Sequence, residues 1–152
     1  MNLSKNLSLA EMTRSESAKR SGIKNEPTAE HLNNMKKLAV NVFQPIRDHF
    51  NTPIHISSGY RSLALNKAIK GSLSSQHCSG EAIDIDMDNT GITNAQIFNW
   101  IKDNLSFDQL IWEFGTDKNP DWVHVSFESN GKQRKQVLKA TKKNGKTTYT
   151  IY

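Results

Sequence analysis

Two short segments carry side chains whose types and spacing suit metal chemistry. In Ser75-Gln76-His77-Cys78-Ser79-Gly80-Glu81-Ala82-Ile83-Asp84, a loop histidine is followed by an aspartate at the head of a strand. Gly80 lets the chain reverse tightly between them, and small Ala82 lets neighbouring segments pack closely. In Asp121-Trp122-Val123-His124, a second histidine enters a strand and shares a face with Trp122 and Ser126, opposite Val123, Val125 and Phe127. Two imidazoles and one carboxylate form a ligand set for an open zinc site, with three protein ligands and a fourth position left for water. Arg61, just after the Ser58-Gly59-Tyr60 turn, adds a permanent cation that can face a carboxylate or a developing oxyanion.

Each of these residues also has a plainer explanation. Asp84, Asp86 and Asp88 alternate with Ile83, Ile85 and Met87, as on the wet face of a half-buried strand. For Asp86 and Asp88 that is the preferred reading. A strand histidine more often belongs to the surface or to a satisfied core. His31, His49 and His55 lack comparable partners and are read as structural. Cys78, beside His77, is a candidate thiolate ligand or nucleophile, but no Cys-x-x-Cys or paired-His pattern supports it.

The elements that must position these groups follow from periodicity and punctuation. Ser8-Leu9-Ala10-Glu11 has capping-box spacing, which predicts a short helix ending near Gly22. Thr28 caps a longer helix with its apolar stripe at Leu32, Met35, Ala39, Val42, Phe43, Ile46 and Phe50, which Pro45 should kink or shorten. Strands are predicted over 54–57, 82–88, 109–114 and 122–128, with helices over 63–69 and from Thr93 to about Leu105. The tail reads as a hairpin, 133–141 and 147–152, around an Asn144-Gly145 turn. Helices come early and antiparallel-looking strands later, an α+β order without regular βαβ alternation.

The chain has 152 residues and a formal charge of +5. That length suits one domain over residues 1–152, with a basic hairpin at about 131–152. The tail from Gly131 carries seven basic residues and no acidic ones, while the rest has fewer basic than acidic residues. The tail has only Tyr149 and Tyr152 as aromatics and no nucleic-acid motif, which argues against nucleic acid as a partner. The N-terminus lacks the apolar run of a signal peptide, and no stretch approaches the ~20 apolar residues of a membrane span. These features predict a protein made in the cytoplasm, monomeric, with a single cysteine and so no intrachain disulfide.

The segment Ser75–Asp84 resembles, position for position, the Ser-x-His-x-x-Gly-x-Ala-x-Asp signature of the zinc D-Ala-D-Ala carboxypeptidases and L-alanyl-D-glutamate endopeptidases. Trp122-x-His124 is similar to that family's second zinc motif, and Ser58-Gly59-Tyr60-Arg61 to the stretch preceding its metal site. The likeness spans about residues 3–128 and is nearest to the short branch found in phages and bacteria. It implies the fold shared with the Hedgehog signalling domain, a small antiparallel sheet with helices packed on it. It implies Zn2+ held by His77, Asp84 and His124, with Asp121 as catalytic acid/base and Arg61 on the scissile carbonyl or oxyanion. Ser75 would line the site, and Glu113 is the rival base or a substrate contact. The implied substrate is a peptidoglycan stem peptide, cut at D-Ala-D-Ala or L-Ala-D-Glu, with action on the wall after release or lysis as by a phage endolysin. The alternative is an inactive wall-binding or structural module of the same fold.

Overall fold

A computed structural model describes all 152 residues. The chain opens with a small hairpin, β1 (Asn2–Ser4) and β2 (Leu7–Ser8), whose Leu3 and Leu7 are buried in the main core. Ser8 then caps α1 (Leu9–Thr13) in a complete capping box with Glu11. The single helix expected here is two helices, because Ser15 takes the Ala18 N–H with its own hydroxyl and starts α2 (Glu16–Ser21) afresh. A serine offers the backbone this alternative wherever the chain can leave helical geometry.

Thr28 caps α3 (Ala29–Leu38), as its spacing predicts. The helix continues through a π-helical turn (Ala39–Phe43) into α4 (Gln44–Phe50). The Gln44 N–H reaches five residues back to the Ala39 carbonyl, so the register widens just before Pro45, which has no N–H to offer. The proline therefore neither shortens nor breaks the run. Met35, Leu38, Ala39, Val42, Phe43 and Ile46 stay on one buried stripe through the change of register.

The remaining elements are β3 (Ile56–Ser58), α5 (Leu63–Ala68), β4 (Ala82–Ile85), α6 (Asn94–Asn104), β5 (Gln109–Glu113), β6 (Trp122–Ser126), β7 (Gln136–Lys143) and β8 (Lys146–Ile151). The last six strands form one sheet in the order β3-β4-β6-β5-β7-β8. The α+β reading holds, and every pairing but one is antiparallel. The exception is β7, which runs parallel to β5. After β6 the chain crosses to the far side of β5, and the crossing is tied down at Asp108. That buried carboxylate accepts the Arg134 backbone N–H at 3.0 Å and pairs with the Arg134 guanidinium at 2.8 Å.

One face of the sheet, with Ile83, Ile85, Leu110, Trp112, Val123 and Val125, joins the helices in a common core. Phe98 of α6 meets Trp112 edge-on at 5.1 Å. The opposite face carries Asp84, His124, Ile111 and Glu113, which line a cavity. The period of two along each strand thus sends apolar residues to the helical layer and reactive ones to the cavity side. No helix is long and apolar enough to cross a membrane.

Candidate active site

Asp84 on β4 and His124 on β6 are directly opposed in the antiparallel ladder. Residues so paired have their side chains in reach of each other, and His124 Nδ1 lies 3.0 Å from Asp84 Oδ1. The third member arrives on a 3-10 turn (Gln76–Ser79) that Ser75 starts by accepting the His77 N–H at 3.2 Å. His77 Nε2 stands 3.3 Å from the same Asp84 oxygen. The two imidazoles thus converge on one carboxylate oxygen, with ring centroids 5.2 Å apart and planes at 65°. One ligand atom from each of the three residues lies within 4.8 Å of the others.

The tautomer of His77 follows from its other nitrogen. Nδ1 is 2.7 Å from the Gly59 carbonyl oxygen, and a carbonyl only accepts, so Nδ1 carries the proton and Nε2 keeps a free lone pair. Burial pushes His77 toward its neutral form, although Asp84 pulls the other way. Burial alone would raise the Asp84 carboxyl, but attraction to the two imidazoles in their protonated state outweighs it and holds the group far below the ordinary carboxylate range. A neutral imidazole and an ionised carboxylate are the states in which these side chains bind metal. The donor set of two nitrogens and one oxygen, open to a cavity, fits a zinc ion with a position left free.

Arg61 is fixed from three sides. Its Nε donates to Ser58 Oγ at 3.2 Å and one Nη to Asn66 Oδ1 at 3.3 Å, while the other stands 3.6 Å from Asp84 Oδ2. Its backbone N–H also donates to the His77 carbonyl at 3.1 Å. Asp84 therefore faces two imidazoles with one oxygen and a guanidinium with the other.

These groups line a cavity of about 620 Å³ that also takes in Ser75 and Glu113. Glu113 is 7% exposed on β5, and its carboxyl is pushed up to about 7 by burial. The Asp84 charge adds to that rise, while His124 and Arg61 oppose it. Asp121 is placed differently. It is exposed and lines a second concavity of about 560 Å³, which shares Phe114 and Trp122 with the first. Asp86 accepts from the Asn94 amide at 3.2 Å and Asp88 is exposed, so neither joins the cluster. Cys78 sits beside His77, but burial pushes its thiol up, away from the reactive thiolate.

The remaining histidines have packing partners. His31 meets the Tyr60 hydroxyl at 3.1 Å, His49 stacks on Trp100 at 4.4 Å, and His55 meets the Asp86 carbonyl at 3.2 Å. Two supporting residues carry little signal of their role in the sequence. Asn66, which orients Arg61, is one polar residue on a short helix, and nothing in the spacing marks it. Gly59 supplies the carbonyl that orients His77, and its place in the Ser-Gly-Tyr-Arg stretch was the available signal.

A profile of the peptidase M15 family matches residues 5–126. That span is most of the chain and contains every residue of the cluster. The chain belongs to the peptidase M15 family. This is the zinc D-Ala-D-Ala carboxypeptidase family, and its members are zinc-dependent metallopeptidases. In this M15 chain, His77, Asp84 and His124 are the group able to bind the metal. No curated protein matches the chain.

Proposed function

We propose that this chain is a zinc peptidase that hydrolyses the stem peptides of peptidoglycan. The reading is carried by the His77–Asp84–His124 cluster, which opens into a cavity large enough for several residues of peptide in a chain of the M15 family. When bound, zinc supplies a Lewis acid that polarises a carbonyl and lowers the pKa of water to about 7. Asp84 keeps its charge beside the imidazoles, and Gly59 keeps His77 in the ligating tautomer.

Glu113 is the proton-handling group that the geometry favours. It lies in the same cavity, shielded from bulk water, where a carboxylate can take a proton from the attacking water and return it to the leaving amine. Arg61 lines the cavity beside Asp84 and is the donor for the carbonyl oxygen as it becomes anionic. Asp121 keeps the role that its place three residues before His124 suggests as the second reading, supported by the aromatic lining shared between the two concavities. Both D-Ala-D-Ala and L-Ala-D-Glu bonds suit this apparatus. A phage-type lysis role, with another protein opening the membrane, would bring it to the wall.

The test is digestion of purified peptidoglycan and soluble muropeptides by zinc-loaded protein, read by mass spectrometry. Release of a terminal D-alanine, or a cut between L-Ala and D-Glu, is expected. Intact substrates from zinc-loaded protein would overturn the peptidase reading and leave a wall-binding module. Glu113→Gln is expected to slow turnover by on the order of 10²–10⁴, and Asp121→Asn by less than about tenfold. The reverse order would move the base to Asp121.

A further inference from the structure

The β7–β8 hairpin lies beyond residue 126, where the family match ends, yet it supplies part of the wall of the catalytic cavity. Sheet register explains how. Trp122 pairs with Glu113, Glu113 with Ala140, and Ala140 with Tyr149, so these four residues form one row across β6, β5, β7 and β8. Side chains in one such row point to the same face. Ala140 is fully buried and has only a methyl group, which leaves the larger Tyr149 free to lean over it toward Glu113. Both Tyr149 and Glu113 line the cavity.

We propose that Tyr149 is a substrate-contacting residue of this cavity, its phenol donating a hydrogen bond to a carbonyl or carboxylate oxygen of the bound peptide. The proposal rests on the peptidase reading of the cavity for its substrate class. Three observations support it. The Tyr149 hydroxyl has no hydrogen-bond partner within the protein, and burial together with the nearby Glu113 and Asp84 carboxyls raises its pKa. A protonated phenol near two carboxylates is a donor, and a neutral one can approach an anionic peptide where another carboxylate could not. Tyr149 is also 54% exposed, so its ring stands at the mouth of the cavity rather than in the core. Arg61 follows β3 at one edge of the sheet and Tyr149 sits on β8 at the other. A peptide lying across the sheet would pass over Asp84, His124 and Glu113 between two donors.

Two measurements on the full chain test this. The first is kcat and KM of zinc-loaded wild type and Tyr149→Phe on a soluble muropeptide, with zinc content and Tm checked. Tyr149→Phe removes one oxygen atom and is expected to lower kcat/KM about tenfold, with zinc and Tm unchanged. The second is nitration by tetranitromethane, mapped by mass spectrometry with and without the muropeptide. The peptide is expected to protect Tyr149 and leave Tyr152 reactive. Normal kinetics for Tyr149→Phe together with unprotected Tyr149 would overturn the proposal while leaving the peptidase reading intact. Protection of Tyr149 without any turnover by wild type would uphold the contact and overturn the peptidase reading. Absence of both turnover and protection would overturn both.

Discussion

Asp84 shows at the scale of one residue how the site is held. Its Oδ1 meets both imidazoles and its Oδ2 faces Arg61, so a change at Arg61 would reach the His77–Asp84–His124 cluster as well as the cavity. Arg61→Lys keeps the charge but loses the planar fork that spans Ser58, Asn66 and Asp84. Turnover of a soluble muropeptide is expected to fall at least about tenfold, with little change in Tm. Unchanged kinetics would remove Arg61 from the chemistry. Glu113 gives a separate handle through pH. In metal-free protein its folded pKa of about 7 lies above the ordinary 4.5. Between those values the folded state holds a proton that the unfolded state has released, so its contribution to stability is lost as pH rises. Glu113→Gln removes that loss. Urea unfolding of the metal-free proteins should show the variant gaining on wild type from about pH 4.5 to 7, by at most about 3 kcal/mol. A gap that does not change with pH would contradict the assignment.

Among the elements, close approach of α1 to the loop after β3 sets the orientation of His77. A Cβ on Gly59 would lie 2.4 Å from the Met12 carbonyl oxygen, and the Gly59 carbonyl is the acceptor for His77 Nδ1. Gly59→Ala must therefore push the two segments apart, and it is expected to weaken zinc binding about 10–100-fold while lowering Tm. Gly145→Ala is the control. Its φ is +78° but nothing lies within 4 Å, so it should cost about 1–2 kcal/mol and leave zinc affinity alone. Equal zinc affinity in wild type and Gly59→Ala would refute this coupling.

Local signals were sufficient for the caps at Ser8, Thr28 and Thr93, the stripe of α3 and the Asn144-Gly145 turn, because each is decided within a few residues. The break at Ser15 and the π-helical turn before Pro45 were not legible, because each chooses between backbone hydrogen-bond patterns that the residues permit equally. His77, Asp84 and His124 stood out by type and spacing. The placement of Glu113 and Asp121 depended on sheet register, which spacing does not encode.

Across the whole molecule, one sheet serves two purposes by presenting different faces. The apolar face builds the core with the helices, and the other holds reactive groups in rows that extend onto the C-terminal hairpin. That hairpin's parallel pairing with β5 puts its side chains in the cavity, a relation between distant segments that no local pattern carried. Its lysines at the tip belong to an edge hairpin, where charge discourages pairing with other chains. Reversing Lys143 and Lys146 to glutamate is expected to leave hydrolysis of both soluble muropeptide and intact wall unchanged. A loss confined to intact wall, shrinking as salt screens the charges, would instead assign the hairpin an anchoring role.

Metal analysis shows whether His77, Asp84 and His124 together hold zinc. Wild type, His77→Ala, Asp84→Asn and His124→Ala would be purified, loaded with zinc, dialysed and measured, with circular dichroism to confirm folding. About one zinc per chain is expected in wild type, with a large loss in each folded variant. Equal zinc in all four proteins, or none in the wild type, would contradict this ligand set.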